Sequence, residues 1–221
     1  MCFSPQADLV GGIAISAIGV DAVRHVRRRR GHLAMAALPL ILGAHQLDEA
    51  FVWWWQQGHV PSDVGRVALW VYLLIAFVVL PIFVPLAVVQ LEPTRSRRWA
   101  MAPFVAVGVV VAAVLFAAMV RGPVGVSEHP YHLAYELQLG GGLAIVSLYV
   151  VATCGALLAS GYRHVLLFGL VNVVAIAVIA KLTVDGFASV WCGWAAVTSA
   201  AIALHMRFAK PGRRPAPSAL T

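Results

Sequence analysis

The sequence predicts an all-α membrane protein: a bundle of seven transmembrane helices with the N-terminus outside and the C-terminus cytoplasmic. Three observations predict it. The chain is 61% hydrophobic and 11% charged, whereas roughly a quarter of the residues of a soluble domain are charged. Its mean hydropathy is +0.86, and its apolar residues gather in runs of the ~20 residues that a spanning helix needs. Its 16 Lys and Arg residues fall in alternating loops, as the bias of basic residues to the cytoplasmic side requires.

The first span is predicted over Pro5 to Val26, with Ser4 as N-cap and Pro5 at the first helical position. The second runs from Leu33 to Gln56, the third from Val67 to Leu91 and the fourth from Trp99 to Val120. The fifth covers Leu139 to Ser160, the sixth His164 to Val184 and the seventh Phe187 to Phe208. Residues 1–208 then form one transmembrane domain, and 209–221 a disordered basic, Pro-rich cytoplasmic tail. This order puts Arg24, Arg27–Arg30, Arg95, Arg97, Arg98, Arg163, Arg207, Lys210, Arg213 and Arg214 on the inner face, and only Arg66, Arg121 and Lys181 on the outer. Losing any one helix would scramble that partition. No basic region precedes the first apolar run, so no cleavable signal is expected.

The net charge of +7 follows membrane side and matches no nucleic-acid motif. The expected partners are therefore the lipid bilayer and a small-molecule or lipid substrate, with no nucleic acid; a homo-oligomer is compatible with the sequence. Small residues also recur at helical spacing: Gly12, Ser16 and Gly19 on the first span, and Ala195, Ser199 and Ala203 on the seventh. Such stripes let helix backbones approach closely. Pro81 and Pro85 are expected to bend the third span. Trp53, Trp54 and Trp55 stand where an outer aromatic belt belongs. Asn172 is placed for an interhelical hydrogen bond.

The chemistry concentrates in Gly43-Ala44-His45-Gln46-Leu47-Asp48-Glu49-Ala50-Phe51, inside the second span. Ionisable groups at membrane depth are costly and usually face a bundle interior or a water-filled cavity. His45 and Glu49 are four apart and share a helix face, with Asp48 beside them. A His with two carboxylates can hold a divalent metal such as zinc, relay protons, or act as general acid and base. The alternative is a buried network that only pins helices. Asp48 and Glu49 are the candidate catalytic pair. A second pair with the same spacing, His132 and Glu136, follows Pro130, which suits the first turn of a helix. His45, Glu49, His132 and Glu136 are thus the candidate metal set. Depth opposes it, since His132 would lie ~10 Å above a hydrocarbon layer entered at Leu139. Gly140, Gly141 and Gly142 can break the helix and fold Tyr131 to Gln138 inward as a lid. Other outer-half candidates are Lys181, Trp191, Cys2 and Cys192, the two cysteines as a disulfide, as shared ligands or as free thiols.

Met1-Cys2-Phe3-Ser4, the Gln46-to-Trp53 stretch and Ser189-Val190-Trp191-Cys192-Gly193-Trp194-Ala195-Ala196 resemble an uncharacterised family of bacterial multi-pass membrane proteins beginning Met-Cys-Phe-Ser. The resemblance implies a multi-pass protein of the bacterial inner membrane and no particular activity. In that family Gln often stands where His45 does, which shifts weight to Glu49. Membrane hydrolases of the ceramidase and adiponectin-receptor type carry paired histidines on the last helix, where this chain has only His205. The functional expectation is an outer-half polar pocket around Asp48 and Glu49 that binds a metal or small ligand, with membrane-embedded catalysis as one use. The alternatives are proton-linked transport on the same carboxylates and a non-catalytic accessory subunit.

Overall fold

Ser4 opens the first helix as expected: its hydroxyl accepts from the Ala7 amide at 3.2 Å, and Pro5 occupies a position whose amide would be unpaired anyway. The computed structural model describes residues 4–182 and 187–208, except for the side chains of 30, 187–189, 192, 202 and 205–208. Cys2, the Cys192 side chain and the tail from 209 therefore lie outside the described residues, and with them the cysteine pairing.

Seven helices are present among the described residues: α1 (Pro5–Val26), α2 (Arg30–Gln56), α3 (Ser62–Leu91), α4 (Arg95–Arg121), α5 (Gly142–Leu158), α6 (Arg163–Leu182) and α7 (Phe187–Phe208). Of these, α1, α3, α4 and α6 are long and apolar enough to cross a membrane, and α5 is apolar but shorter. α2 has 27 residues and carries the polar run. It is the centre of the bundle, contacting α1, α3 and α7. The helix order places Arg66, Arg121 and Lys181 at one end, and Arg24, Arg27–Arg29, Arg95, Arg97, Arg98 and Arg163 at the other.

The α1–α2 seam is as close as the small-residue stripe predicts. A Cβ on Gly12 would lie 2.8 Å from the Leu47 side chain and 2.9 Å from the Gly43 carbonyl oxygen. On Gly19 it would lie 2.5 Å from the Leu40 backbone nitrogen. The α7 stripe is also buried at Ser199 and Ala203, where α7 packs on α1 and α2.

Two helices contain a π-helical turn, Ile75–Val79 in α3 and Val151–Gly155 in α5. The first ends two residues before Pro81, which has no amide to donate to the preceding turn. The chain answers the proline with this wider turn. Tyr149 joins the two segments by donating to the Ala76 carbonyl at 2.8 Å. Thr153 donates to the Tyr149 carbonyl at 2.9 Å. Asn172 bonds within its own helix, to the Phe168 carbonyl at 2.8 Å, and not between helices as expected.

The largest correction concerns the segment between α4 and α5. It is a β-hairpin, β1 (Val124–His129) and β2 (His132–Leu137), turning at Pro130 and Tyr131. The period-2 pattern explains why strands win over helix here. Val124, Val126, Leu133, Tyr135 and Leu137 all fall on one sheet face by register, and that face packs on Leu69, Tyr72, Val52 and Trp53. Gly141, with φ of 70°, takes the left-handed conformation that starts α5 at Gly142, not at Leu139.

At the opposite end, Glu92 ties two loops together. It is 1% exposed, and its carboxylate accepts from the Ser160 hydroxyl at 3.0 Å and the Gly161 amide at 2.7 Å. The Arg97 guanidinium stands 3.8 Å from its other oxygen. Every one of these partners lies within the two inter-helix loops or at their edges, so the role of Glu92 is to fix α3–α4 against α5–α6.

Candidate functional site

The carboxylates of α2 lie at the hairpin end of the bundle, and the seam with α1 adds a third. Asp8 stands one turn before Gly12 on the close-packed face of α1, and it is 0% exposed. Asp8 and the half-buried Asp48 both lie within electrostatic reach of Glu49. Sequence reasoning missed Asp8. The signal was its four-residue spacing from Gly12, in line with Ser16 and Gly19.

Glu49 is 0% exposed and fixed from two sides. Gln46 donates to Oε2 at 3.2 Å, and the Tyr135 hydroxyl, from β2, donates to Oε1 at 3.2 Å. A continuous stack of rings flanks it. His45 lies 4.1 Å from Tyr72 at 24° between planes, and Tyr72 lies 4.2 Å from Tyr135 at 13°. The stack joins α2, α3 and β2, so the hairpin closes the site from above. A second tether runs from the Gln57 amide to Glu128 at 3.3 Å.

Several buried polar atoms at this site lack hydrogen-bond partners among the described residues. Both carboxyl oxygens of Asp8 are buried without one, and so are both ring nitrogens of His45. Trp53 acts on Asp8 as a donor, yet no bond of ordinary length joins them. Trp53 is 2% exposed and is a wall of this site, not part of an interfacial belt. Buried polar groups without partners are rare and call for an explanation.

The candidate metal set is not assembled. His132 and Glu136 share a face, but it is the strand face opposite Tyr135, and Glu136 is exposed while Glu49 is fully buried. Among the described residues no group of three or more His, Cys, Asp or Glu side chains can hold a metal ion. The reason is the hairpin: in a strand the side chains at Tyr135 and Glu136 must point to opposite faces. His132 instead stacks on His129 at 4.9 Å, at the hairpin tip. Trp191 packs edge-on against Tyr149 at 5.2 Å, and Lys181 is exposed near the end of α6.

What assembles here is two aspartates, a glutamate, an imidazole and two phenols, beside a stack of rings. That set can accept hydrogen bonds from a donor-bearing ligand or exchange protons.

The chain belongs to a family of unknown function, DUF6629, whose profile matches residues 1–219. No curated protein and no solved structure matches it.

Proposed function

We propose that this chain is a seven-span protein of the bacterial inner membrane, N-terminus outside, which binds a small donor-bearing or cationic ligand at Asp8, Asp48 and Glu49. The observation that carries the ligand reading is Asp8: a fully buried carboxyl group, with neither oxygen hydrogen-bonded among the described residues. A carboxyl group held only for packing would be matched by fixed donors at both oxygens, and among the described residues only Trp53 acts on Asp8 as one, without a bond of ordinary length. An occupant that supplies one explains both the burial and the missing partner. The hairpin, tied down through Tyr135 and Glu128, is its cover.

The ligand reading is tested by thermal unfolding of the purified protein against a panel of small amines and their uncharged isosteres. At least one amine raises the midpoint of the parent protein and leaves Asp8→Asn unmoved. If the parent responds to none, or the variant responds equally, Asp8 serves only as a helix clamp.

Orientation has its own test. The basic partition predicts that reporter fusions or cysteine labelling place Arg28 inside and Asp63 and Glu128 outside. An outward-facing Arg28 loop would overturn the map.

A second reading, proton-linked transport on the same carboxylates, is favoured by the π-helical turns of α3 and α5. The α3 turn follows the ring stack directly, since Tyr72 stands one turn before Ala76, Tyr149 of α5 is bonded to it, and π turns are points at which a helix can shift. Flux into proteoliposomes driven by a pH step, present in the parent and absent in Glu49→Gln, separates transport from binding alone.

A further inference from the structure

A second feature lies deeper in the bundle, away from the carboxylates. Leu38, Leu42, Leu80, Val84, Tyr149 and Cys154, with neighbours on α6 and α7, line a partly enclosed cavity of about 40 Å³. One water needs roughly 10–15 Å³ of such space, so the cavity has room for a few heavy atoms. Its walls offer water almost nothing. The Tyr149 hydroxyl is donated to the Ala76 carbonyl, the Thr153 hydroxyl to the Tyr149 carbonyl and the Asn172 amide to the Phe168 carbonyl. These three polar wall groups have thus turned their donors to backbone, and the exposed lining is apolar. A cavity of that kind stays dry and takes hydrocarbon.

The opening has a direction. Nine of the twelve lining residues are buried, and the three that are half-buried, Phe168, Trp191 and Ala195, all belong to α6 and α7. The outer surface of α6 beside them carries exposed Leu167, Leu170, Val171 and Val174. In a bilayer that surface meets acyl chains. Both π turns border the cavity: Leu80 follows the first directly, and Thr153 and Cys154 belong to the second. The wider turns move wall side chains apart that a regular helix would bring together.

We infer that this cavity binds the end of one acyl chain of a bilayer phospholipid, entering between α6 and α7. The inference rests on the membrane-spanning part of the proposed function and is independent of the carboxylate site. The occupied cavity keeps both π turns filled from one side, and so ties their geometry to the surrounding lipid.

The test uses the full-length protein. Native mass spectrometry after extensive detergent washing is expected to show one phospholipid retained per chain, and Ala195→Leu, which fills the mouth, to retain less than a tenth as much. Equal retention by parent and variant, or none by the parent, overturns the proposal. Should Ala195→Leu not fold, a second measurement decides. The parent and Trp191→Phe are reconstituted in phosphatidylcholine vesicles with plain or mid-chain-brominated tails. The emission difference between them, which reports Trp191, is expected to fall at least twofold on bromination. An unchanged difference overturns the inference. A failure of the membrane reading itself would show separately, in the reporter-fusion map.

Discussion

Glu49→Gln is expected to fold and insert like the parent protein and to bind any cationic ligand of the site at least ~10-fold more weakly. The shape argument comes first. Glutamine keeps the length of the side chain, so Tyr135 still donates to its carbonyl oxygen, and the Gln46 amide can turn to accept from its nitrogen. These two contacts of Glu49 therefore survive in altered form, and the ring stack is untouched. What is lost is the capacity to carry a negative charge. A hydrogen bond to a charged group contributes ~1.5–3 kcal/mol, and ~1.4 kcal/mol corresponds to a tenfold change in affinity. Isothermal titration of an amine identified by thermal unfolding checks the size. A variant that unfolds at the parental temperature and binds as the parent does would leave Glu49 as a packing residue.

Gly19→Leu is expected to do the opposite, damaging the fold without touching a polar group. The new Cβ would meet the Leu40 backbone nitrogen at 2.5 Å and its Cα at 2.8 Å, so backbone must move, since no flexible side chain is there to yield. Overpacking of a tight core costs ~1–3 kcal/mol, and a rigid backbone contact puts this position at the upper end or beyond. Because the same seam carries Asp8 to Glu49, ligand-induced stabilisation should vanish along with stability. Gly140→Ala is the matched control: nothing lies within 4 Å of its added Cβ, and its unfolding temperature should equal the parent's. Comparable midpoints for Gly19→Leu and Gly140→Ala would refute the close seam.

The helices were legible because long apolar runs at fixed length leave little choice of structure. Pro5 to Val26 was legible to the residue, owing to Ser4 and Pro5. The hairpin was not. Pro130 suits a helix start as well as a turn, and the His132/Glu136 spacing of four places both residues on one face in a helix or a strand. The alternation of Leu133, Tyr135 and Leu137 carried the deciding information, and it shows its meaning only against the apolar wall of α2 and α3. Asp48 and Glu49 stood out by their depth in an apolar segment. Asp8 did not, since an acidic residue in a first helical turn is ordinary. Trp53 reads as an interfacial aromatic until its neighbours are known. Glu92 sits in an arginine-rich loop, where a solvated carboxylate is the natural reading, and only folding brings Ser160 and Gly161 to it.

The π turn of α3 has a consequence for how one helix serves two purposes. Such a turn holds one residue more than a regular helix does over the same rise, and each residue advances the helix by ~100°. The segment before Ile75 and the segment after Val79 are therefore out of phase by about that angle. Tyr72 can stack between His45 and Tyr135, while Leu80 and Val84, two and three turns later, line the cavity. Deleting a single residue between 75 and 79 would restore the phase and force a choice. Either the aromatic stack keeps its place and the apolar wall rotates away, or the wall stays and Tyr72 leaves Glu49's neighbourhood. The inserted residue acts as a rotary offset that lets the two halves of the bundle be shaped separately.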